Sequence, residues 1–206
     1  MNDVRININD LHPHLRYKLN RLLKLCEKNN LPVIITEGFR TVQKQDEIYA
    51  QGRTKPGIIV TQARGKDYQS QHQWGVAFDI AINIKGKEYD MGYIRKVANL
   101  AKSDNIGLYW GGDWTDFVDN LHFYLNKWGS TTCKLRKKYV TPDNFKKEWT
   151  AFVKRKKGLN IYKKNKKTVL KHLDYGTKVQ VMFKGIYWAK IECNGTVGYM
   201  RKKYLR

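Results

Sequence analysis

Between Ser70 and Ile82 the chain reads SQHQWGVAFDIAI, and no other run restricts its fold as tightly. From Val76 onward the alternation is that of a strand: Val76, Phe78, Ile80 and Ile82 share one face, and Ala77, Asp79 and Ala81 share the other. Asp79 thus lies on a face kept small by alanines. A carboxylate there has to be solvated, paired or bound to a metal, because burying it alone is costly. His72 stands upstream, past Gly75, in the turn that feeds this strand. A second run, FVDNLHFYL, alternates Leu121, Phe123 and Leu125 with His122 and Tyr124, which turns His122 to one face of another strand. Two histidines, one aspartate and a position left open are a usual donor set for catalytic zinc. A single histidine is more often an ordinary surface or core residue. The conjunction with Asp119, just before the second strand, favours the metal reading, since an acid there can take a proton from water without being a ligand. Asp113 and Asp116 are the alternative bases, but neither has the spacing of Asp119 to His122.

Three motifs together carry a family resemblance: Ser70-x-His72-x-x-Gly75-x-Ala77-x-Asp79, the WGGDW stretch from Trp110 to Trp114, and Asp119-x-x-His122-Phe123. In them the chain resembles the zinc peptidases that comprise the L-alanyl-D-glutamate peptidases of phage endolysins and the D-Ala-D-Ala carboxypeptidases of vancomycin resistance. The resemblance covers about the first 128 residues. It implies an α+β domain with a small antiparallel sheet and helices, of the kind shared by D,D-peptidases and the hedgehog signalling domain. It also implies zinc on His72, Asp79 and His122, Asp119 as general base, Arg40 of EGFRT on the oxyanion, and Gln45 in a supporting place. Aspartate at position 119 behind WGGDW matches the endopeptidase branch, which implies cleavage of the L-Ala-D-Glu bond of peptidoglycan; the D-Ala-D-Ala bond is the alternative. Leu121 departs from the proline common in relatives before the second histidine.

The surrounding sequence gives these motifs a frame. Leu15, Leu19, Leu22, Leu23 and Cys26 recur at helical spacing from Leu11 to Lys28, a core-facing helix. Val33-Ile34-Ile35 then opens a strand that delivers Glu37 and Arg40 to its far end, with Thr41 as N-cap of the next helix. Arg40 at such a junction can reach into a cleft and donate several hydrogen bonds to an oxyanion. The plainer reading of Arg40 is a surface ion pair with Glu37 or Asp46. Residues 52–70 are rich in Gly, Lys and polar residues and read as a long loop over the site, with Arg64 and Ser70 as substrate contacts, although Ser70 also suits a turn. A helix is predicted from Tyr93 to Ser103, and Trp110 and Trp114 offer either cleft walls or core.

Beyond residue 128 the texture changes. Residues 129–157 read as a connection with a short helix from Pro142 through Phe145, Trp149, Phe152 and Val153. Residues 158–206 break into about five short strands punctuated by glycines, which predicts a small barrel. GLNIY, YGTKVQV, YWAKI and NGTVGYMRKKYL resemble a bacterial SH3 domain, the wall-targeting module of many endolysins, and Tyr162, Tyr187, Trp188 and Tyr199 are the candidates for wall contact. The formal charge of +22 is concentrated here: residues 129–206 hold 22 Lys and Arg against 4 Asp and Glu. Such an excess draws a protein to polyanions, teichoic acids and anionic membranes as well as nucleic acid, and charge alone does not choose among them. Beside the wall-enzyme reading, teichoic acid is the expected partner and nucleic acid is not. No apolar run approaches a membrane span, and MNDVRININD lacks the features of a secretory signal. An endolysin made in the host cytoplasm and reaching the wall at lysis is the expectation. The three cysteines lack metal spacing and read as free thiols. The reading from outside the enzyme class is a wall- or polyanion-binding protein with a vestigial site.

Overall fold

A computed structural model describes residues 2–206. The chain divides into two compact units, the first running from the N-terminus through Leu11 and from Leu15 to Pro142, the second comprising His12–His14 and Asp143–Arg206. Together they make a mixed α+β protein. Among the described residues no helix is long and apolar enough to cross a membrane, and Cys26, Cys133 and Cys193 are all free thiols.

In the first unit the order is β1 (Asp3–Val4), α1 (Pro13–Lys28), β2 (Val33–Glu37), α2 (Val42–Ala50), β3 (Ala77–Ile82), α3 (Met91–Lys102), β4 (Tyr109–Trp110), β5 (His122–Tyr124) and α4 (Cys133–Tyr139). The strands form one sheet in the order β1-β2-β3-β5-β4. All its pairings are antiparallel except β1 with β2, which run parallel. The helical periodicity is expressed as anticipated: Leu15, Leu19, Leu22 and Cys26 of α1 and Ile94, Val97, Ala98 and Ala101 of α3 are buried. Thr41 caps α2 by accepting from Lys44 N, and Asp90 caps α3 by accepting from Gly92 N and Tyr93 N. Phe78 and Phe123 lie opposite each other in register and stack, ring centroids 5.7 Å apart, so the apolar face of β3 is continued into β5.

Register is what matters for the site. Asp79 lies opposite His122 on β5 and opposite Glu37 on β2, which places two acids and an imidazole in one row across three strands. The pairing of β2 with β3 is irregular between Ile35 and Glu37, a bulge that re-aims the end of β2. Residues 52–70 carry no helix or strand, and the loop is pinned to α2: Gln45 Nε2 donates to the Ala63 carbonyl at 2.8 Å, and Asp46 Oδ1 accepts from Gly65 N at 2.7 Å.

In the second unit α5 (Pro142–Lys146) is followed by β6 (Thr150–Phe152), β7 (Leu159–Tyr162), β8 (Val169–Leu173), β9 (Lys178–Lys184), β10 (Trp188–Cys193) and β11 (Thr196–Arg201). The helix expected to run through Phe152 and Val153 stops short. Thr150, Ala151 and Phe152 pair instead with Gln180, Val179 and Lys178, a better use of β-branched and aromatic residues than exposed helix. The sheet order is β6-β9-β10-β11-β7-β8, an open ladder that does not by itself show the small barrel anticipated. Beyond the named strands, the segment after β11 returns to β6: Leu205 bridges Val153 antiparallel, and Phe152 and Arg206 exchange backbone hydrogen bonds at 2.9 and 3.1 Å. One face of the sheet buries Val179, Val181, Ala189, Ile191, Met200, Ile161 and Leu159.

Candidate metal centre

His72 belongs to a single turn of 3₁₀ helix, Gln71–Trp74, whose ends are both fixed by local chemistry. Ser70 caps its start, accepting from His72 N while Gln73 reaches back to Ser70 N, a capping box. Gly75 ends it at φ 62, a left-handed conformation that a side chain would strain. Ser70 is thus a turn residue by structure, and it also lines the cleft described below.

The donor atoms predicted to share a metal do converge. His72 Nε2 lies 3.3 Å and His122 Nδ1 3.0 Å from the same oxygen, Asp79 Oδ1. The potential ligand atoms of these residues all fall within 4.8 Å of one another. Their other ring nitrogens are occupied. His72 Nδ1 is 2.8 Å from the Gly38 carbonyl, and His122 Nε2 is 2.7 Å from Gln71 Oε1. With the outer nitrogens donating to those oxygens, the nitrogen of each ring that faces Asp79 is the one left to coordinate a metal; in metal-free protein the same nitrogens lie within hydrogen-bond reach of the carboxylate. The donor set of two neutral imidazoles and a carboxylate suits zinc.

Electrostatics agree with the crowding. Burial disfavours the charged form of Asp79, but the His72 charge and hydrogen bonds from His122 and His72 outweigh it and hold the carboxyl far below its usual range. For His72, burial lowers the pKa while the Asp79 charge and hydrogen bond raise it, and the net shift is upward. Without a metal, the centre therefore holds itself together as a histidine–aspartate pair. Asp119 is shifted upward, by burial first and by the Asp79 charge second, against the His122 charge and the Leu121 N–H. Its Oδ1 accepts from Leu121 N at 3.1 Å, and its backbone N donates to Gly111 O at 3.1 Å. Position 111 has to be glycine, since a Cβ there would sit 2.6 Å from Asp119 O and 3.1 Å from His122 Cβ.

The cleft over these groups has a volume of about 810 Å³. His72, Asp79, His122, Asp119, Arg40, Ser70 and Trp114 all line it, together with Val60 to Ala63 of the long loop and Thr115, Asp116 and Phe117 on the strap before β5. Arg40 pairs with Glu37, the plainer of its two readings, and it also lines the cleft. Its Nε and Nη2 donate to the two Glu37 oxygens at 2.7 and 2.6 Å, its Nη1 donates to Gln45 Oε1 at 2.7 Å, and Nη2 is 3.9 Å from Asp79 Oδ2. That bracing leaves an N–H on each terminal nitrogen of a guanidinium that still lines the cleft. Gln45 is fully buried and supports Arg40 without reaching the cleft. Arg64 is not among the lining residues: it is exposed, and its Nε donates to the Tyr49 hydroxyl at 3.2 Å. Trp110 is buried, donates to the Asn120 carbonyl at 2.8 Å and also lies outside the lining, whereas Trp114 donates to the Tyr124 hydroxyl and packs against His122. Asp113 lines the cleft but is committed to Lys102 at 2.9 Å. Gln71 and the bracing carboxylate of Glu37 were not legible as site residues, since only the register of β2, β3 and β5 brings them there.

In the second unit Tyr187 is 70% exposed. Trp188 meets Tyr162 edge-on at 5.7 Å, with Arg201 4.5 Å and Lys166 5.7 Å from the Trp188 ring. Tyr199 pairs with Tyr162 across the strands and contacts Phe183 edge-on.

Comparison with known proteins places this centre among peptidases. Residues 63–125 match the model of an M15 peptidase family described as D-alanyl-D-alanine carboxypeptidase. The peptidoglycan L-alanyl-D-glutamate endopeptidase CwlK of Bacillus subtilis (strain 168) is 41% identical over 127 residues, which are 56% of this chain and 74% of that protein. The L-alanyl-D-glutamate peptidase of Listeria phage A118 is 32% identical over 129 residues, 61% of this chain and 42% of the phage protein. Among solved structures, the L-Ala D-Glu endopeptidase ChiX of Serratia marcescens aligns with 25% identity and a TM-score of 0.45, over 58% of this chain and 83% of that one.

Proposed function

Because the chain belongs to the M15 peptidase family, we propose that it is a zinc-dependent endopeptidase that cuts the L-Ala-D-Glu bond of the peptidoglycan stem peptide. The observation that carries this reading is the meeting of His72 Nε2, His122 Nδ1 and Asp79 Oδ1 at the floor of a cleft also lined by Asp119 and Arg40. The names of the relatives in Bacillus subtilis and Listeria phage A118 support the choice of bond.

His72, Asp79 and His122 would hold zinc, which when bound supplies electrophilic polarisation of the reacting oxygens. Asp119 takes the proton of water as its oxygen adds to the L-Ala carbonyl carbon. An upward-shifted carboxyl is a better proton acceptor than an ordinary one, and burial and Asp79 give Asp119 that character. Arg40 donates its remaining N–H groups to the carbonyl oxygen as negative charge grows there, and the Glu37 and Gln45 brace keeps it from reorganising. When the C–N bond breaks, Asp119 returns the proton to the D-Glu nitrogen. Ser70, Trp114 and the 60–63 strand of loop form the walls against which the stem peptide is held.

The second unit serves as the wall-binding module, with Tyr162, Tyr187, Trp188 and Tyr199 as contacts and teichoic acid as a polyanionic partner. Its excess of lysine and arginine supports this assignment, as do the cations over Trp188. Digestion of purified peptidoglycan followed by mass spectrometry of the released muropeptides tests the bond assignment. A free L-Ala carboxyl with a new D-Glu amine is expected. Release of D-Ala alone assigns the carboxypeptidase activity in its place, and no release by zinc-loaded protein leaves only a wall-binding one.

A further inference from the structure

Gln71 stands beside the first candidate ligand in sequence, yet its side chain serves the second. It is buried, and its Oε1 lies 2.7 Å from His122 Nε2, the ring nitrogen turned away from Asp79. The orientation of the amide is fixed from its other end: Gln71 Nε2 donates to the Gly129 carbonyl at 3.3 Å, and a reversed amide would set two oxygens against each other. Gly129 presents that carbonyl from φ 91, a conformation that glycine adopts without strain. From Gly129 through Gln71 to His122 the donors and acceptors run in one direction, and the chain ends with a proton on His122 Nε2, which leaves Nδ1 as the nitrogen that faces Asp79 Oδ1 at 3.0 Å. For His72 the same task falls to a backbone oxygen, that of Gly38. His122 therefore depends on a side chain where His72 does not.

We propose that Gln71 is the positioning residue of the second metal ligand, holding His122 in the tautomer and ring orientation that present Nδ1 to the ion. The turn that caps at Ser70 would then set both imidazoles at once, His72 by carrying it and His122 by reaching across to it. This rests on the reading of His72, Asp79 and His122 as a zinc site. Outer partners of this kind affect metal affinity by about 10- to 100-fold.

The test uses the full chain with Gln71→Met, which keeps length and apolar volume but removes the acceptor, and Gln71→Glu, which keeps it. In zinc-loaded protein, ¹⁵N shifts of the His122 ring should report the Nε2–H tautomer, with the metal on Nδ1, in wild type and Gln71→Glu and a mixture in Gln71→Met. Zinc affinity, measured by chelator competition, should fall about 10- to 100-fold in Gln71→Met and be kept in Gln71→Glu. An unchanged tautomer together with wild-type zinc affinity in Gln71→Met overturns the proposal. His122→Ala separates the two layers: if that variant still binds zinc as wild type does, the metal site itself is wrong and the proposal goes with it. If His122→Ala loses zinc while Gln71→Met does not, only the role of Gln71 fails.

Discussion

At the scale of single residues the centre is a set of groups whose ionisation is decided by one another. Asp119→Asn should leave zinc content unchanged and lower peptidoglycan hydrolysis by about 10²- to 10⁴-fold, the usual worth of a general acid–base group. Turnover near that of wild type in a release assay would remove Asp119 from the mechanism. The histidine–aspartate pair also predicts how metal-free protein responds to pH. His72 has its folded pKa raised, so its contribution is complete below the unfolded value near 6.5 and is lost as pH rises through the folded one. Asp79 has its folded pKa depressed, so its contribution is present above the unfolded value of about 3.9 and disappears in acid. Chelator-treated wild type should therefore lose more thermal stability than Asp79→Asn does as pH rises from about 6.5 toward the alkaline side. Identical losses in the two melts would show that the pair contributes nothing.

At the scale of elements, two short turns and three strand ends do the positioning. The capping box and the left-handed Gly75 hold the Gln71–Trp74 turn, and the closeness of residues 111 and 119 holds the strap before β5. Gly111→Ala puts a methyl 2.6 Å from Asp119 O, so it should destabilise the protein by about 1–3 kcal/mol, the range for overpacking, and impair hydrolysis beyond what lost stability explains. A calorimetric melt and a rate measured well below the melting point check the two parts separately; unaltered values of both would mean that the strap yields freely. Most elements were legible because their signals are local. The 3.6-residue period of α1 and α3, the Thr41 cap and the glycine-punctuated strands β7 to β11 need no distant partner to be read. Where a distant partner decided, the reading failed: residues 150–152 left the expected helix because β9 offers them a ladder.

At the scale of the whole molecule, a neutralising substitution of Lys163, Lys164, Lys166 and Lys167 to Gln in the β7–β8 hairpin should weaken pelleting with bacterial walls and flatten its dependence on salt. Cleavage of a soluble muropeptide should be unaffected. Equal pelleting by both proteins at low salt would take the hairpin out of wall binding, and competition with DNA would show whether the surface distinguishes wall polymer from nucleic acid. The sequence by itself determined which residues are of metal-ligating type and in which kind of element each sits, because residue type, alternation and caps are properties of neighbouring positions. It could not settle that Glu37, Asp79 and His122 stand in one row, that Gln71 reaches His122, that Arg40 is braced and yet lines the cleft, or that Arg64 and Trp110 lie outside it. Those relations follow from strand register and from a bulge near Thr36, and register is a choice among long-range pairings that only the packed sheet makes.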